Sequence, residues 1–157
     1  MADDVVQALR VNFEAAFSML EQTIDRFNPE QWFSEIANKQ VPAQVAYHNI
    51  ECIDFYFKEN EDKFLFGKRF GKERLKGGLK LPGKEEMLNY LEAIDQRVVA
   101  ILNAVSKDEL QEHNEHKYPF GKSRLSHYIY ALRHTMHHHG VLAALAGSMG
   151  AKKSVWK

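Results

Sequence analysis

The apolar residues of this chain recur at alternating steps of three and four positions over long stretches. The clearest stretch covers residues 84–105, where the apolar positions are Met87, Leu91, Ile94, Val98, Ile101 and Val105. An α-helix completes a turn in 3.6 residues, so this spacing keeps the apolar side chains on one face. Such a face must be buried against other helices. The pattern therefore predicts an all-α four-helix bundle.

Three further stretches carry the same spacing and predict long helices, over residues 3–27, 41–59 and 123–147. Asn28 and Pro29 end the first helix, because the residue before a proline disfavours the helical region, and a short turn follows in PEQWF. Ser106 and Glu109 form a capping box for another short turn. We interpret residues 1–157 as one domain with short extra helical turns in its connections.

The last predicted helix has two apolar stripes rather than one. The first stripe is Ala131, His134, His138, Val141 and Leu145, and the opposite stripe is Leu125, Leu132, Met136 and Ala143. A helix that is apolar on two sides is buried on both. One side would face the bundle core and the other a neighbouring helix or a second subunit, so we expect a homodimer.

Composition excludes several classes of protein. The 21 basic residues balance the 21 acidic ones, so no overall field attracts the chain to nucleic acid or membranes. One cysteine, Cys52, excludes an internal disulfide framework and fits a reducing compartment. The first ten residues lack the basic region of a signal peptide, and no stretch approaches ~18 apolar residues. We expect a soluble cytoplasmic protein without a membrane partner.

Residues 66–83 form a glycine-rich connection with one acid and six basic residues: Lys68, Arg69, Lys72, Arg74, Lys76 and Lys80. A connection of this length is usually functional or mobile. It would be a solvated loop, or it would hold a phosphate, nucleic acid or an anionic thiol cofactor. Nucleic acid is the least expected partner, because Phe64, Phe66 and Phe70 are too irregularly spaced for a base-stacking platform.

Three histidines predict a metal site. His134 and His138 are separated by four positions, so their rings lie one above the other on one helix face. His48 falls where the seam of the second helix, Val45-His48-Cys52-Phe55, calls for an apolar residue, and a core histidine needs a partner. Three imidazoles form a common open site for a divalent metal ion. The alternatives are a carbonyl-bonded or carboxylate-bonded His48 and a metal-free pair on the last helix.

Other side chains are candidates for the surroundings of this site. His127 lies two turns before His134 and would line a pocket, and Cys52 would border the site or be a core residue. Glu51 is the candidate for a catalytic base, with a solvated helix carboxylate as the alternative. His137 and His139 point away from the shared face. None of the helix patterns contains Glu-x-x-His, which sets a di-iron centre aside.

The chain resembles the DinB-like (DinB/YfiT-type) metal-binding helical bundles. Their motif N-H-x-x-x-H-R-G-Q falls on His134, His138 and Gly140, and their third ligand, in a segment like L-x-H-I-x-D, falls on His48. The flanking arginine and glutamine of the motif are His139 and Val141 here. The asparagine of the motif is replaced by arginine, and these changes alter the groups that orient the ligands.

The resemblance implies a metal site at His48, His134 and His138, and a small-molecule substrate. Zinc or nickel is expected, with iron, manganese or copper as alternatives. Known members include metal-dependent transferases and isomerases that use a low-molecular-weight thiol, and proteins labelled hydrolases. The expected function is activation of a thiol or water against a small electrophile. The alternative is a non-catalytic dimeric metal-binding protein of stress or sensing.

Overall fold

The computed structural model describes residues 2–36, 40–58, 63–70, 81–113 and 121–151. These residues form six helices: α1 (Ala2–Asp25), α2 (Pro29–Phe33), α3 (Pro42–Tyr56), α4 (Lys84–Ala104), α5 (Lys107–Gln111) and α6 (Arg124–Ser148). No strand occurs within the described ranges, so the predicted all-α bundle is confirmed. The second long helix ends at Tyr56, three residues before the predicted position 59.

Both predicted short turns are helices with reciprocal caps. The side chain of Asn28 accepts a hydrogen bond from the backbone of Gln31, whose own side chain accepts from the backbone of Asn28. Ser106 and Glu109 form the same arrangement at the start of α5. These bonds satisfy backbone N–H groups that a helix start leaves without intrahelical partners.

The four long helices surround one core in the spatial order α1, α6, α3, α4. Helix α6 packs on α1 and α3, and α4 packs on the other side of the same two helices. The largest fully buried side chains are Trp32, Tyr47, Phe13, Phe27, Leu20, Ile24, Ile50, Ile53, Met87, Ile94, Leu102 and Leu110. Within the described residues, no helix is both long and apolar enough to span a membrane.

Helix α3 is buried on nearly every side, whereas its sequence pattern predicted one apolar seam. Twelve of its fifteen residues are buried, among them the acidic residues Glu51 and Asp54. Asp54 accepts hydrogen bonds of 2.5 Å from Tyr90 and from Arg97, and both of these partners lie on α4. Burial, reinforced by the bond to Asp54, raises the pKa of Tyr90. The paired carboxylate thus fastens α3 to α4 from inside the bundle.

Residues 63–70, which include the first five residues of the basic connection (66–70), are held against α3 and α4. The backbone N–H of Gly67 donates to the Glu51 carboxylate, and Gly67 has a φ of 75°, which glycine adopts readily. The guanidinium carbon of Arg69 lies 3.9 Å from the centre of the Tyr90 ring. Residues 71–80, which carry four of the six basic side chains, lie outside the described residues.

Candidate metal centre

Two buried hydrogen bonds set the register of α6 between its neighbours. The Asn49 side chain of α3 donates from Nδ2 to the carbonyl oxygen of Thr135, at 3.1 Å. Thr23 of α1 donates from Oγ1 to the Met19 carbonyl and lies 3.0 Å from Nε2 of His139, from which it accepts. Breaking either bond would leave a buried polar group unsatisfied. The two bonds therefore favour one height and one rotation of α6.

This register places the predicted histidines at one level of two facing helices. His48 directly precedes Asn49, and His134 directly precedes Thr135. The Nε2 atoms of His48 and His138 are 3.0 Å apart. The ring centre of His134 lies 4.4 Å from that of His138 and 5.5 Å from that of His48. The fold therefore brings all three predicted ligands together.

The separation of the two nitrogens fits a shared metal ion. Two nitrogens that each bind an ion at ~2.1 Å are about 3.0 Å apart when they lie at right angles, and about 3.4 Å apart at a tetrahedral angle. The same distance suits a hydrogen bond in which one ring donates its N–H to the lone pair of the other. In both cases the Nε2 atoms of His48 and His138 face each other between α3 and α6.

Cys52 joins the same cluster. Its sulfur lies 3.8 Å from Nδ1 and 4.0 Å from Nε2 of His48, one turn earlier on α3. One donor atom each from His48, Cys52 and His134 lie within 4.8 Å of one another. The sequence predicted that Cys52 either borders the site or is a core residue. The signal for a closer role was its i,i+4 spacing from His48, which repeats the spacing of His134 and His138.

The other two histidines between positions 134 and 139 of α6 lie outside the cluster, and their environments differ. His137 is exposed, although its ring lies 4.9 Å from that of His138. His139 is buried against α1, where burial lowers its pKa and the charge of Arg26 acts in the same direction. The lowered pKa favours a neutral imidazole at this position, where its Nε2 lies 3.0 Å from the Thr23 hydroxyl.

His127 belongs to an aromatic wall next to the cluster. Its ring is buried and lies 5.8 Å from that of Tyr56. The Tyr56 ring lies 5.4 Å from that of His134, and the Tyr130 ring lies 6.2 Å from His134. Tyr56 therefore connects His127 to the centre, and sequence reasoning missed both tyrosines because the wall combines residues of two helices.

Glu51 is not the solvated helix carboxylate that was the alternative to a catalytic base. Its side chain is 1% exposed, and one carboxylate oxygen accepts the backbone N–H of Gly67. The carboxylate thus holds residues 63–70 against α3, in the turn of the helix that carries Cys52.

The buried face of α6 differs from the two predicted stripes. Its buried residues are His127, Tyr128, Ala131, Thr135, His139, Leu142, Leu145 and Ala146. His134 and His138 lie half-buried at the flank that faces α3. The predicted inner stripe is rotated relative to the buried face, because His139 and Thr135 count as polar in a sequence pattern. The His139 ring lies beside the Thr23 hydroxyl, and the Thr135 hydroxyl donates to the Ala131 carbonyl.

Two comparisons agree with this architecture. The family model of the DinB superfamily matches residues 12–142. The chain is also similar to the crystal structure of a DinB-like protein from Bacillus cereus, with a TM-score of 0.73, 16% sequence identity and 95% of each chain covered. At this identity the likeness shows the fold. None of the curated proteins matches the chain.

Proposed function

The chain belongs to the DinB superfamily, and from this premise we propose that it binds a divalent metal ion through His48, His134 and His138. The observation that carries the proposal is the 3.0 Å separation between the Nε2 atoms of His48 and His138. We further propose that the protein is a metal-dependent enzyme of the thiol S-transferase or hydrolase type, acting on a small electrophilic substrate.

The three proposed ligands come from two helices. His48 supplies one imidazole from α3, and His134 and His138 supply two from successive turns of α6. Three neutral nitrogens suit zinc or nickel, and they also suit iron and copper, whereas manganese, the remaining candidate, prefers oxygen ligands. A divalent ion held there would act as a Lewis acid that favours the deprotonated form of a thiol or of water.

The residues around the proposed metal site favour a low-molecular-weight thiol, rather than a cysteine of the chain, as the nucleophile. Cys52, the single cysteine of the chain, is 5% exposed and therefore poorly placed to attack a substrate. A low-molecular-weight thiol would act as cosubstrate. The rings of Tyr56 and Tyr130, on either side of His134, would contact the apolar part of the electrophile and exclude water there.

Metal analysis of the purified protein tests the site. We expect about one bound ion per chain in the wild type and its loss in His48→Ala, because two histidines of one helix rarely hold an ion alone. His137→Ala is the matched control, since His137 is exposed on the same helix and should leave the metal content unchanged. A His48→Ala variant that keeps the same bound metal would show that the proposed site is wrong.

Turnover assays test the catalytic part. Metal-loaded protein would be supplied with glutathione or cysteine and an activated aryl halide, and separately with an activated ester. We expect turnover of one of these substrates, its loss after chelation and its loss in His48→Ala. Metal binding without turnover of either substrate would overturn the catalytic part for these reaction types and leave the metal site in place.

A second candidate is a non-catalytic metal-binding protein of stress or sensing. The observation that favours it is the position of Cys52, whose sulfur would complete a set of four protein donors with the three histidines. Structural zinc sites have four protein ligands, whereas catalytic sites keep an open position. Visible absorption of the cobalt-substituted protein that does not change when azide is added would indicate a closed site, and a spectral change would indicate an open position that the azide occupies.

We also propose that the protein forms a homodimer through the outer face of α6. Ile129 is 52% exposed there, and the predicted outer-stripe residues Leu125, Leu132 and Met136 are half-buried. A Cβ atom added at Gly140 would meet nothing within 4 Å, so a second helix has room to approach. Sedimentation velocity should show a dimer at micromolar concentration and a monomer for Ile129→Glu, and a wild-type monomer would overturn the proposal.

A further inference from the structure

Two helices that pack on each other each present a pair of metal-ligating side chains one turn apart. On α6 the pair is His134 and His138, and on α3 it is His48 and Cys52. Residues four positions apart lie one above the other on a helix surface. Each pair faces the opposite helix at the same level, so the interface presents three imidazoles and one sulfur.

The distances place this sulfur within reach of a shared ion. An ion at ~2.1 Å from a nitrogen and ~2.3 Å from a sulfur can join them only if they are less than about 4.4 Å apart. The Cys52 sulfur lies 3.8 and 4.0 Å from the two ring nitrogens of His48. The 4.0 Å distance meets this limit at Nε2, the nitrogen of His48 that faces His138.

Charge balance is a second argument that the Cys52 sulfur binds the ion. The cluster of His48, Cys52 and His134 contains no carboxylate, and the nearby Glu51 carboxylate is engaged with the backbone of Gly67. Neutral imidazoles leave the two positive charges of an ion uncompensated, and burying uncompensated charge is costly. A thiolate would cancel one charge, and its proton would be released to solvent when the ion binds.

From these observations we propose that Cys52 is a sulfur ligand of the metal centre, which makes the site selective for thiophilic divalent ions such as zinc, cobalt and cadmium. The inference rests on the metal-binding part of the proposed function, and a fourth protein ligand favours the non-catalytic candidate over the enzyme. Soft thiolate ligands select such metals over magnesium and manganese, which prefer oxygen. The burial of Cys52, at 5% exposure, disfavours a bridge to the sulfur of a second chain.

Cobalt titration of the full-length protein tests the ligand directly. The chain has one cysteine, so with a phosphine as reductant any thiolate-to-cobalt charge-transfer band in the near ultraviolet must come from Cys52. We expect this band to grow with bound cobalt and to saturate at one ion per chain. Cys52→Ser should keep bound cobalt by metal analysis, lose the band, and bind cadmium at least ~10-fold more weakly than the wild type does.

The outcomes separate this inference from the proposed function. Wild-type protein that binds one cobalt ion without the band would overturn the role of Cys52 and leave the histidine site standing. A band that persists in Cys52→Ser would overturn it as well. Failure of the wild type to bind cobalt or zinc would overturn the metal site and the inference together. The wild-type spectrum decides the matter even if Cys52→Ser does not fold.

Discussion

His48 and His138 are ninety residues apart in the chain, yet their Nε2 atoms are separated by 3.0 Å across the interface of α3 and α6. Neither residue can reach the other through local structure. Their approach depends on the packing of the two helices and on the Asn49–Thr135 bond beside them.

Metal binding should stabilise the protein in a pH-dependent way. An ion at 100 times its dissociation constant adds about 2.7 kcal/mol to the free energy of unfolding, which corresponds to a rise in Tm of several degrees for a chain of this length. Protons compete with the ion for neutral imidazoles, whose ordinary pKa is about 6.5. Calorimetry with zinc should therefore show a large rise at pH 7.5 and little rise at pH 5. His48→Ala should show little rise at either pH, and an equal wild-type rise at both would contradict a histidine site.

Asn49 should support the metal centre without binding the ion. Asn49→Ala removes the buried bond to the Thr135 carbonyl, so the free energy of unfolding should fall by about 1–2 kcal/mol. His48 would no longer be held level with His134 and His138, and zinc affinity measured by calorimetric titration should also fall. Asn103→Ala is the matched control, because it removes an exposed bond with Arg10 and should change stability by less than about 0.5 kcal/mol. Unchanged zinc affinity in Asn49→Ala would contradict the positioning role.

His139 and His137 should differ in their effect on stability. His139→Ala leaves a cavity between α1 and α6 and removes the donor to Thr23, so it should cost about 1–3 kcal/mol in urea denaturation. His137 is exposed, and His137→Ala should cost less than about 0.5 kcal/mol. Both variants should still bind one metal ion per chain. Loss of metal from folded His137→Ala would show that the assignment of ligands on α6 is wrong.

Asp95 should destabilise the folded protein at neutral pH. It lines a groove between α1 and α4 with Glu14 and Glu21, and burial, followed by repulsion from these two carboxylates, raises its pKa. The folded protein thus binds the Asp95 proton more tightly than the unfolded chain does, so stability from this group is present at low pH and is lost as pH rises from the unfolded pKa through the folded one. Asp95→Asn should stabilise by up to about 1 kcal/mol at pH 7, since solvent screens part of the effect.

The pH dependence distinguishes this explanation from a general helix effect. The gain in Asp95→Asn should disappear in urea denaturation at about pH 3, where the wild-type carboxyl is protonated in both states. Glu35→Gln, which alters an exposed carboxylate between α2 and α3, serves as the control and should show no comparable gain at pH 7. An equal gain for Asp95→Asn at both pH values would contradict the electrostatic origin.

Much of the architecture could be predicted from the sequence because helix formation and helix faces are local. The regular spacing of apolar residues predicted the four long helices, and the residues around Asn28 and Ser106 predicted the two short ones. The four-residue separation of His134 and His138 predicted, without knowledge of the fold, that their rings lie on one side of α6. The burial of α3 was not predictable in this way, because Glu51 and Asp54 count as solvated until their partners Gly67 and Tyr90 are known.

The sequence by itself determined the helices, most of the apolar face of α4 and the i,i+4 pairing of His134 and His138, since these depend on residues within a few turns. Only the tertiary structure decided that α6 lies between α1 and α3, rotated so that His139 faces Thr23 and His138 faces His48. It also decided that Cys52 belongs beside the histidines. These relationships depend on side chains that meet across helices, and no local period in the chain specifies such a meeting.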